Sequence, residues 1–184
     1  MNSIILIINS FSDLGLSKDF KEKHKPYTIA QWNKLADKII NSPLKKPSAL
    51  LNIEKEVLKK DLYLTEEEIY RIQALIKRGG NIAIEIEKLE SKGILITTRA
   101  DENYPQRLKK VLKRNSPPIL FYSGDIRLAS KLSVAIVGSR DVDEHGIVFT
   151  TELAKRCVKE GHVIVSGGAK GVDTIAEQIA IQEK

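Results

Sequence analysis

The chain has 184 residues, 42% of them apolar and 29% charged, and a net charge of +6, which suits one large or two small domains with packed cores. Its single cysteine, Cys157, excludes a disulfide framework and a Cys-rich zinc site, and three histidines without ligand spacing predict no bound metal. The apolar run at residues 4–8 is too short for a signal peptide or a membrane span, so we expect a cytoplasmic protein with no membrane partner.

The positive charge is concentrated in the front of the chain. Residues 1–115 hold 22 Lys and Arg against 15 Asp and Glu, whereas residues 116–184 hold 8 against 9. Excess positive charge favours polyanionic partners such as nucleic acid or an anionic membrane. Charge alone is nevertheless more often explained by a solvated, lysine-rich surface.

Residues 1–93 predict a small helical domain. Thr28 is placed to cap one helix, Thr65 and Glu68 form a capping-box pattern before another, and a further helix is expected over residues 50–60. The apolar residues follow helical spacing in both capped segments: Ile29, Trp32, Leu35, Ala36, Ile39 and Ile40 in the first, and Ile69, Ile72, Leu75 and Ile76 in the second.

Glycines mark the end of this domain. Gly79 and Gly80 follow two cations and predict a helix end. Asn81 predicts the cap of a last helix that ends at Gly93.

Residues 94–118 predict a connection between two domains. A β-like run covers residues 94–98, and a basic helix follows over residues 105–114. Pro117 and Pro118 then interrupt the chain.

Residues 119–184 predict the start of a Rossmann-like domain. Strands and helices alternate, which indicates a parallel sheet with helical crossovers. The strands are expected over residues 119–122, 134–137 and 163–165, and the helices over residues 146–160 and after Gly171. The all-apolar strands predict burial on both faces. Because two or three parallel strands cannot cover their own faces and edges, we expect the sequence to be a fragment of a longer α/β domain.

Two glycine-bearing turns at the ends of these strands predict a phosphate site. In open α/β sheets, ligands bind outside the carboxyl ends of the strands, where glycine allows close approach and a helix N-terminus favours an anion. Each turn could alternatively be a tight turn selected for packing, but two in one crevice favour phosphate. The candidate residues are Gly138, Ser139 and Arg140 after one strand, and Ser166, Gly167, Gly168, Ala169, Lys170 and Gly171 after the next.

Asp173 follows the second turn and is placed to cap its amides or to contact a ribose, with the structural role favoured. The second turn is neither a P-loop nor the dinucleotide fingerprint. We find no Ser-His-Asp set, no nucleophile elbow and no paired carboxylates at a site, so we expect a binding protein without a cofactor rather than an enzyme.

The helix at residues 105–114 is a second candidate contact for a nucleic-acid backbone. A solvated basic face is the alternative, and it is the one that charge patterning favours. The cations concerned are Arg107, Lys109, Lys110, Lys113 and Arg114.

From Ile94 to the end, the sequence resembles the DprA/Smf family of DNA-processing proteins. The ordered combination carries the resemblance: Asp101-Glu102-Asn103-Tyr104-Pro105, then Pro118-Ile119-Leu120-Phe121 with Gly124, then residues 134–140 and residues 165–173. The helical front half is similar, loosely, to the family's sterile-alpha-motif-like domain.

The resemblance implies a Rossmann-like domain that binds single-stranded DNA without sequence preference and delivers it to the RecA recombinase in transformation or repair. Family members often form homodimers. On this mapping, Arg140 and Lys170 neutralise DNA phosphates, while Gly138, Ser139, Gly167 and Gly168 shape the pocket.

Three departures from the family pattern indicate a divergent branch: Gly168 replaces a leucine, Glu177 replaces a histidine and His145 replaces a tyrosine. The glycine turn also resembles that of lysine-decarboxylase-like nucleotide phosphoribohydrolases, which makes a nucleotide-binding enzyme or sensor the alternative. The second, catalytic motif of those enzymes does not occur in this sequence.

Overall fold

The computed structural model describes residues 3–9 and 25–183, which form a mixed α/β fold. The chain divides into two compact units, Met1–Ile126 and Arg127–Lys184. The parts of the predicted helical domain at residues 1–2 and 10–24, including His24, lie outside the described residues. Among the helices of residues 3–9 and 25–183, none combines the length and the apolar character that a bilayer crossing requires.

The described part of the first unit consists of helices and a two-stranded sheet, with one helix between the two strands. Its helices are α1 (Ser3–Asn9), α2 (Ile29–Asn41), α3 (Lys55–Leu62), α4 (Glu66–Lys77), α5 (Gly79–Glu90) and α6 (Gln106–Leu112). Short 3-10 helices cover Pro47–Asn52 and Lys113–Asn115. The strands are β1 (Leu95–Thr98) and β2 (Ile119–Tyr122).

The predicted cap at Thr28 and the predicted capping box at Thr65 are both present, and Thr28 forms a capping box as well. The Gln31 amide donates to Thr28 Oγ1 at 3.3 Å while the Thr28 amide donates to Gln31 Oε1 at 3.1 Å. The same reciprocal pair joins Thr65 and Glu68, at 3.2 and 2.8 Å. Because each box satisfies amides that the first turn leaves without partners, the starts of α2 and α4 are determined locally.

The predicted end of α4 is confirmed, because the helix ends at Lys77 just before the two glycines. Two other helix predictions are wrong. Gly79 and Gly80 begin α5, so Asn81 lies inside its first turn and does not cap it. The chain bends at Arg78, whose buried guanidinium donates to the Ile7 carbonyl at 2.7 Å, so a tertiary contact sets this corner. The helix predicted over residues 50–60 is divided into a 3-10 turn and α3 by extended backbone at Ile53.

One apolar cluster forms the core of the first unit. It joins α1, α2, α3, α4 and the 3-10 turn through Ile5, Ile8, Trp32, Leu35, Ile39, Leu50, Leu58, Leu62, Leu64, Ile69, Ile72 and Leu75. Trp32, Leu35 and Ile39 recur at helical spacing and are buried as predicted, whereas Ile40 is mostly exposed because it lies on the outer side of α2.

Strand β2 belongs to the first unit. It pairs antiparallel with β1, with Leu95 opposite Tyr122 and Thr98 opposite Ile119. The sequence analysis places β2 at the start of the second domain, with a boundary near residue 118, whereas the compact units meet after Ile126. The difference arises because the pairing of β2 is determined by β1, which precedes it by more than twenty residues.

The second unit has two parallel strands and two helices. Strands β3 (Ser133–Ala135) and β4 (Val163–Val165) pair in register, with Val134 opposite Ile164. Helix α7 (Glu144–Lys159) connects them, and α8 (Val172–Gln182) follows β4. The predicted alternation of strand and helix, and the parallel pairing, are confirmed.

The core of this unit lies on one face of the sheet. It consists of Ile136, Ala154 and Ala176, with Val134, Leu153, Ile164, Val172 and Ile179 packed around them. Burial of both faces was predicted, but Val137 and Val165, which point to the other face, are 71% and 49% exposed. Alternate residues of a strand face opposite sides of the sheet. Both helices of this unit contribute to the cluster on one side, so the residues that point to the other side stay exposed.

Candidate nucleic-acid interface

The two predicted turns are joined directly in the structure. The amide of Val172, which follows the second turn, donates to the Ser139 carbonyl of the first at 3.1 Å. Gly171 lies between them with φ +80°, and a Cβ there would stand 2.2 Å from that carbonyl oxygen. Only glycine fits this contact, which places both turns at one edge of the sheet.

The first turn is also closed against the start of α8. A Cβ at Gly138 would stand 2.8 Å from Val172 Cγ2. Ser166 Oγ, at the end of β4, donates to the Ile136 carbonyl at 2.7 Å. These contacts fix the two strand ends relative to each other, so the side chains that follow them have defined positions.

Ser139 is engaged within its own turn. Its hydroxyl donates to the Asp141 carbonyl at 2.6 Å and accepts from the Asp141 amide at 3.1 Å. The hydroxyl therefore shapes the loop. Asp143 has a similar structural role: its carboxylate caps α7 by accepting from the Gly146 amide at 2.8 Å.

Arg140 and Lys170 are exposed, one on each turn, and neither makes a hydrogen bond or an ion pair with any described residue. Two other cations of the second unit are paired: Lys155 with Glu183 at 3.7 Å and Arg156 with Glu160 at 3.0 Å. The two turns thus present positive charge that the described part of the unit does not neutralise.

Asp173 occupies the interior of the second turn. Only 5% of the residue is exposed, and one carboxylate oxygen accepts from the Gly167 amide at 3.0 Å. Burial acts to raise the pKa of this carboxyl, but the hydrogen bonds from the backbone amides of Gly167, Ala169 and Gly138 outweigh it and hold the pKa below the ordinary value. Capping was the role that the sequence favoured for Asp173.

The remaining residues of the second turn support its geometry. Gly168 has φ +69°, a backbone conformation that glycine adopts without strain. The Ala169 carbonyl accepts from the Thr174 amide at 3.1 Å and from its hydroxyl at 2.7 Å. The turn is therefore rigidly attached to α8, and Lys170 projects from it.

The basic helix of the first unit is part of a tertiary bridge. Arg114 pairs with Asp37 of α2, and Asn33 Nδ2 donates to the Arg114 carbonyl at 2.7 Å. Arg99 donates to Asn33 Oδ1 at 2.9 Å, and Lys109 Nζ donates to the Arg99 carbonyl at 3.2 Å. These bonds attach the segment after β1 to α2.

The five cations predicted over residues 105–114 differ in whether they are engaged within the protein. Lys109 and Arg114 belong to the bridge, and Arg107 also has an interaction within the protein. Lys110 and Lys113 are exposed. Arg99, which the sequence analysis did not single out, is the central member of the bridge, and a lone arginine after a strand gives no sequence signal of such a role.

Known proteins share the segment that contains both turns. Residues 95–184 match the family described as DNA recombination-mediator protein A. The DNA processing protein DprA of Streptococcus pneumoniae is 35% identical over 102 residues, which cover 55% of this chain and 33% of that protein. DprA of Bacillus subtilis is 34% identical over 94 residues, covering 50% and 31%. Protein Smf of Synechocystis sp. is 33% identical over 103 residues, covering 53% and 25%.

Residues 95–184 are therefore related in sequence to the DprA/Smf family. The X-ray structure of DprA from S. pneumoniae has a similar fold, with a TM-score of 0.50 and 24% identity over 85% of this chain and 55% of that one. The matched segment spans a quarter to a third of the length of these curated DprA and Smf relatives.

The Asp-Glu-Asn-Tyr-Pro motif that contributes to the DprA/Smf resemblance is structural in this chain. Asp101 accepts from the Thr98 amide at 2.8 Å and from its hydroxyl at 2.9 Å, which ends β1. Tyr104 is buried, and its hydroxyl donates to the Pro117 carbonyl at 2.9 Å. The motif thus holds the turn after β1 against the segment that leads into β2.

Two of the departures from the DprA/Smf pattern are neighbours in space. A Cβ at Gly168 would stand 3.9 Å from Glu177 Oε1 of α8. The left-handed backbone at Gly168 would strain a leucine, so this loop conformation suits the glycine of this chain.

Proposed function

We propose that this chain is a DNA-processing protein of recombination that binds single-stranded DNA at the joined turns after β3 and β4. The contact between these turns carries the proposal, because it fixes Arg140 and Lys170 at one edge of a parallel sheet. The second unit then belongs to a Rossmann-like domain, and the helical residues before β1 correspond to a sterile-alpha-motif-like domain. The family match over residues 95–184 and the names of the relatives support this role.

The mechanism is electrostatic capture of the DNA backbone. Residues 116–184 have no net positive charge, so binding depends on where the cations lie rather than on how many there are. Among residues 127–183, Arg140, Lys159 and Lys170 are the cations without an interaction partner in the described structure. Two of the three lie on the joined turns, where an incoming phosphate meets exposed, unpaired charge.

Titration of a labelled oligo-dT by fluorescence anisotropy at several salt concentrations tests the proposal. Each lost phosphate contact reduces the slope of log affinity against log salt by about 0.7 for a single strand. We expect Arg140→Ala and Lys170→Ala each to bind more weakly and with a slope shallower by about that amount.

Lys159→Ala is the matched control. It removes the same unit charge from the far end of α7, whose 16 residues span about 24 Å at 1.5 Å per residue. We expect the wild-type slope for this variant. If Lys159→Ala and Arg140→Ala change the slope equally, binding is not localised at the turns. If the wild type does not bind oligo-dT at low salt, the DNA function fails and small nucleotides become the ligands to test.

Delivery of the bound strand to RecA, the absence of catalysis, a homodimer and a cytoplasmic location belong to the same proposal and rest on the resemblance to DprA. The rate of RecA assembly on the oligonucleotide, measured with wild type and with Arg140→Ala, extends the test. RecA loading requires faster assembly with the wild type than with the variant.

A further inference from the structure

A carboxylate fills the amide cluster in which a phosphate was expected. The glycine turn after β4 leads into α8, an arrangement that usually presents free amides to an anion. Here the Gly167 amide donates to Asp173 Oδ2 at 3.0 Å, and a Cβ at Gly167 would stand 3.0 Å from the same oxygen. The cluster is therefore satisfied by an anion of the protein itself.

This carboxylate lies where the two turns meet. The Gly167 amide that it accepts from belongs to the turn after β4, and Val172, the neighbour of Asp173 in the chain, donates its amide to the Ser139 carbonyl of the turn after β3 at 3.1 Å. Asp173 is almost fully buried in the first turn of α8. Hydrogen bonds to a charged acceptor are stronger than neutral ones, so the carboxylate holds the turn after β4 against the start of α8, beside the bond to the other turn.

We propose that Asp173 is the positioning residue of the DNA site: its carboxylate replaces a phosphate in the amide cluster and holds the two turns at the spacing that Arg140 and Lys170 need to bind one DNA strand. This inference rests on the proposed function. The DNA phosphates then lie outside the cluster, against the two cations, and are not bound by the Gly167 amide.

Removal of the Asp173 charge separates this role from a simple field effect. A negative charge beside two cations repels DNA, so its loss strengthens binding if Asp173 acts only through its charge. If Asp173 positions the turns, its loss weakens binding despite the more positive site. The two explanations predict changes of opposite sign.

The binding experiment compares Asp173→Asn with Glu177→Gln, using oligo-dT anisotropy on the whole chain. Both variants remove one carboxylate from α8. The Glu177 carboxylate lies near Gly168, and this side chain accepts no hydrogen bond in the described structure. We expect Asp173→Asn to bind about tenfold more weakly, the loss typical of a charged hydrogen-bond partner. Glu177→Gln should bind at least as tightly as the wild type.

Amide resonances provide a readout that does not depend on DNA. In the heteronuclear NMR spectrum at neutral pH, Asp173→Asn should shift the amides of Gly138, Gly167 and Ala169 together, and Glu177→Gln should not. Gly138 is decisive, because it packs against Val172 but lies far from Asp173 in sequence, so its amide shifts only if the first turn moves as well. In the wild type alone, hydrogen exchange should show the Gly167 amide protected relative to Lys170, although Gly167 is exposed. This measurement applies even if Asp173→Asn does not fold.

The outcomes separate the two proposals. Unchanged or tighter binding by Asp173→Asn, or a Gly138 amide that does not shift in this variant, overturns the positioning role and leaves DNA binding intact. If the wild type does not bind oligo-dT, the DNA function fails, and the positioning role with it. A protected Gly167 amide in the wild type and a Gly138 amide that shifts in Asp173→Asn would then show that the carboxylate still holds the turns.

Discussion

Gly171→Ala tests whether direct contact between the two turns holds the second unit together. The added methyl group would stand 2.2 Å from the Ser139 carbonyl oxygen and 2.9 Å from the Arg140 backbone, where ordinary contacts begin near 3.4 Å. The turns must therefore separate by roughly 1 Å. Such a shift removes the bond from the Val172 amide to the Ser139 carbonyl.

Gly168→Ala is the matched control. Both glycines have positive φ, which costs a residue with a side chain about 1 to 2 kcal/mol. A Cβ at Gly168 meets nothing closer than 3.9 Å, so this variant carries only the backbone strain. Gly171→Ala adds the overlap with backbone atoms, worth about 1 to 3 kcal/mol more. We expect the free energy of unfolding of the second unit to fall by about 2 to 5 kcal/mol in Gly171→Ala and by about 1 to 2 in Gly168→Ala.

Urea unfolding followed by two probes measures this difference. Far-UV circular dichroism reports both units, whereas the fluorescence of Trp32, the single tryptophan, reports the core of the first. Gly171→Ala should move the circular dichroism transition to lower urea while the Trp32 transition stays at its wild-type midpoint. Equal losses in the two variants would refute the argument from the close contact.

Two further predictions concern acid and a buried hydroxyl. Burial acts to raise the pKa of Asp173 and Asp101, but hydrogen bonds hold both below the ordinary value. Each carboxylate therefore contributes stability above its unfolded pKa of about 3.9 and loses that contribution as the pH falls through its folded pKa. Urea midpoints should decline below about pH 4, and less steeply in Asp173→Asn than in the wild type. An equal decline in that variant would contradict this. Tyr104→Phe should lower the free energy of unfolding, followed by Trp32 fluorescence, by about 1 to 2 kcal/mol, because the Pro117 carbonyl loses its donor in a buried setting. An unchanged urea midpoint would exclude that contribution.

Local chemistry determined much of the fold. The capping boxes at Thr28 and Thr65 and the helical spacing of Trp32, Leu35 and Ile39 were readable because cap and apolar face lie within one or two turns of chain. The parallel pairing of β3 with β4 was likewise readable, since a helix between two short apolar strands favours that arrangement. The same reasoning placed the two glycine turns at one edge of the sheet.

Tertiary structure decided the rest, because the interactions concerned join residues that are distant in sequence. The corner at Arg78 depends on a contact with Ile7, and β2 pairs with β1 rather than with the later strands. Arg114 was a candidate for DNA from its charge, but its pairing with Asp37 of α2 makes it part of the structure. The sequence by itself determined where glycine, cations and carboxylates follow the strands. Only the structure showed that Asp173 accepts from the Gly167 amide beside the contact between the two turns, because a charged group binds whichever donors the folded chain brings within hydrogen-bond distance.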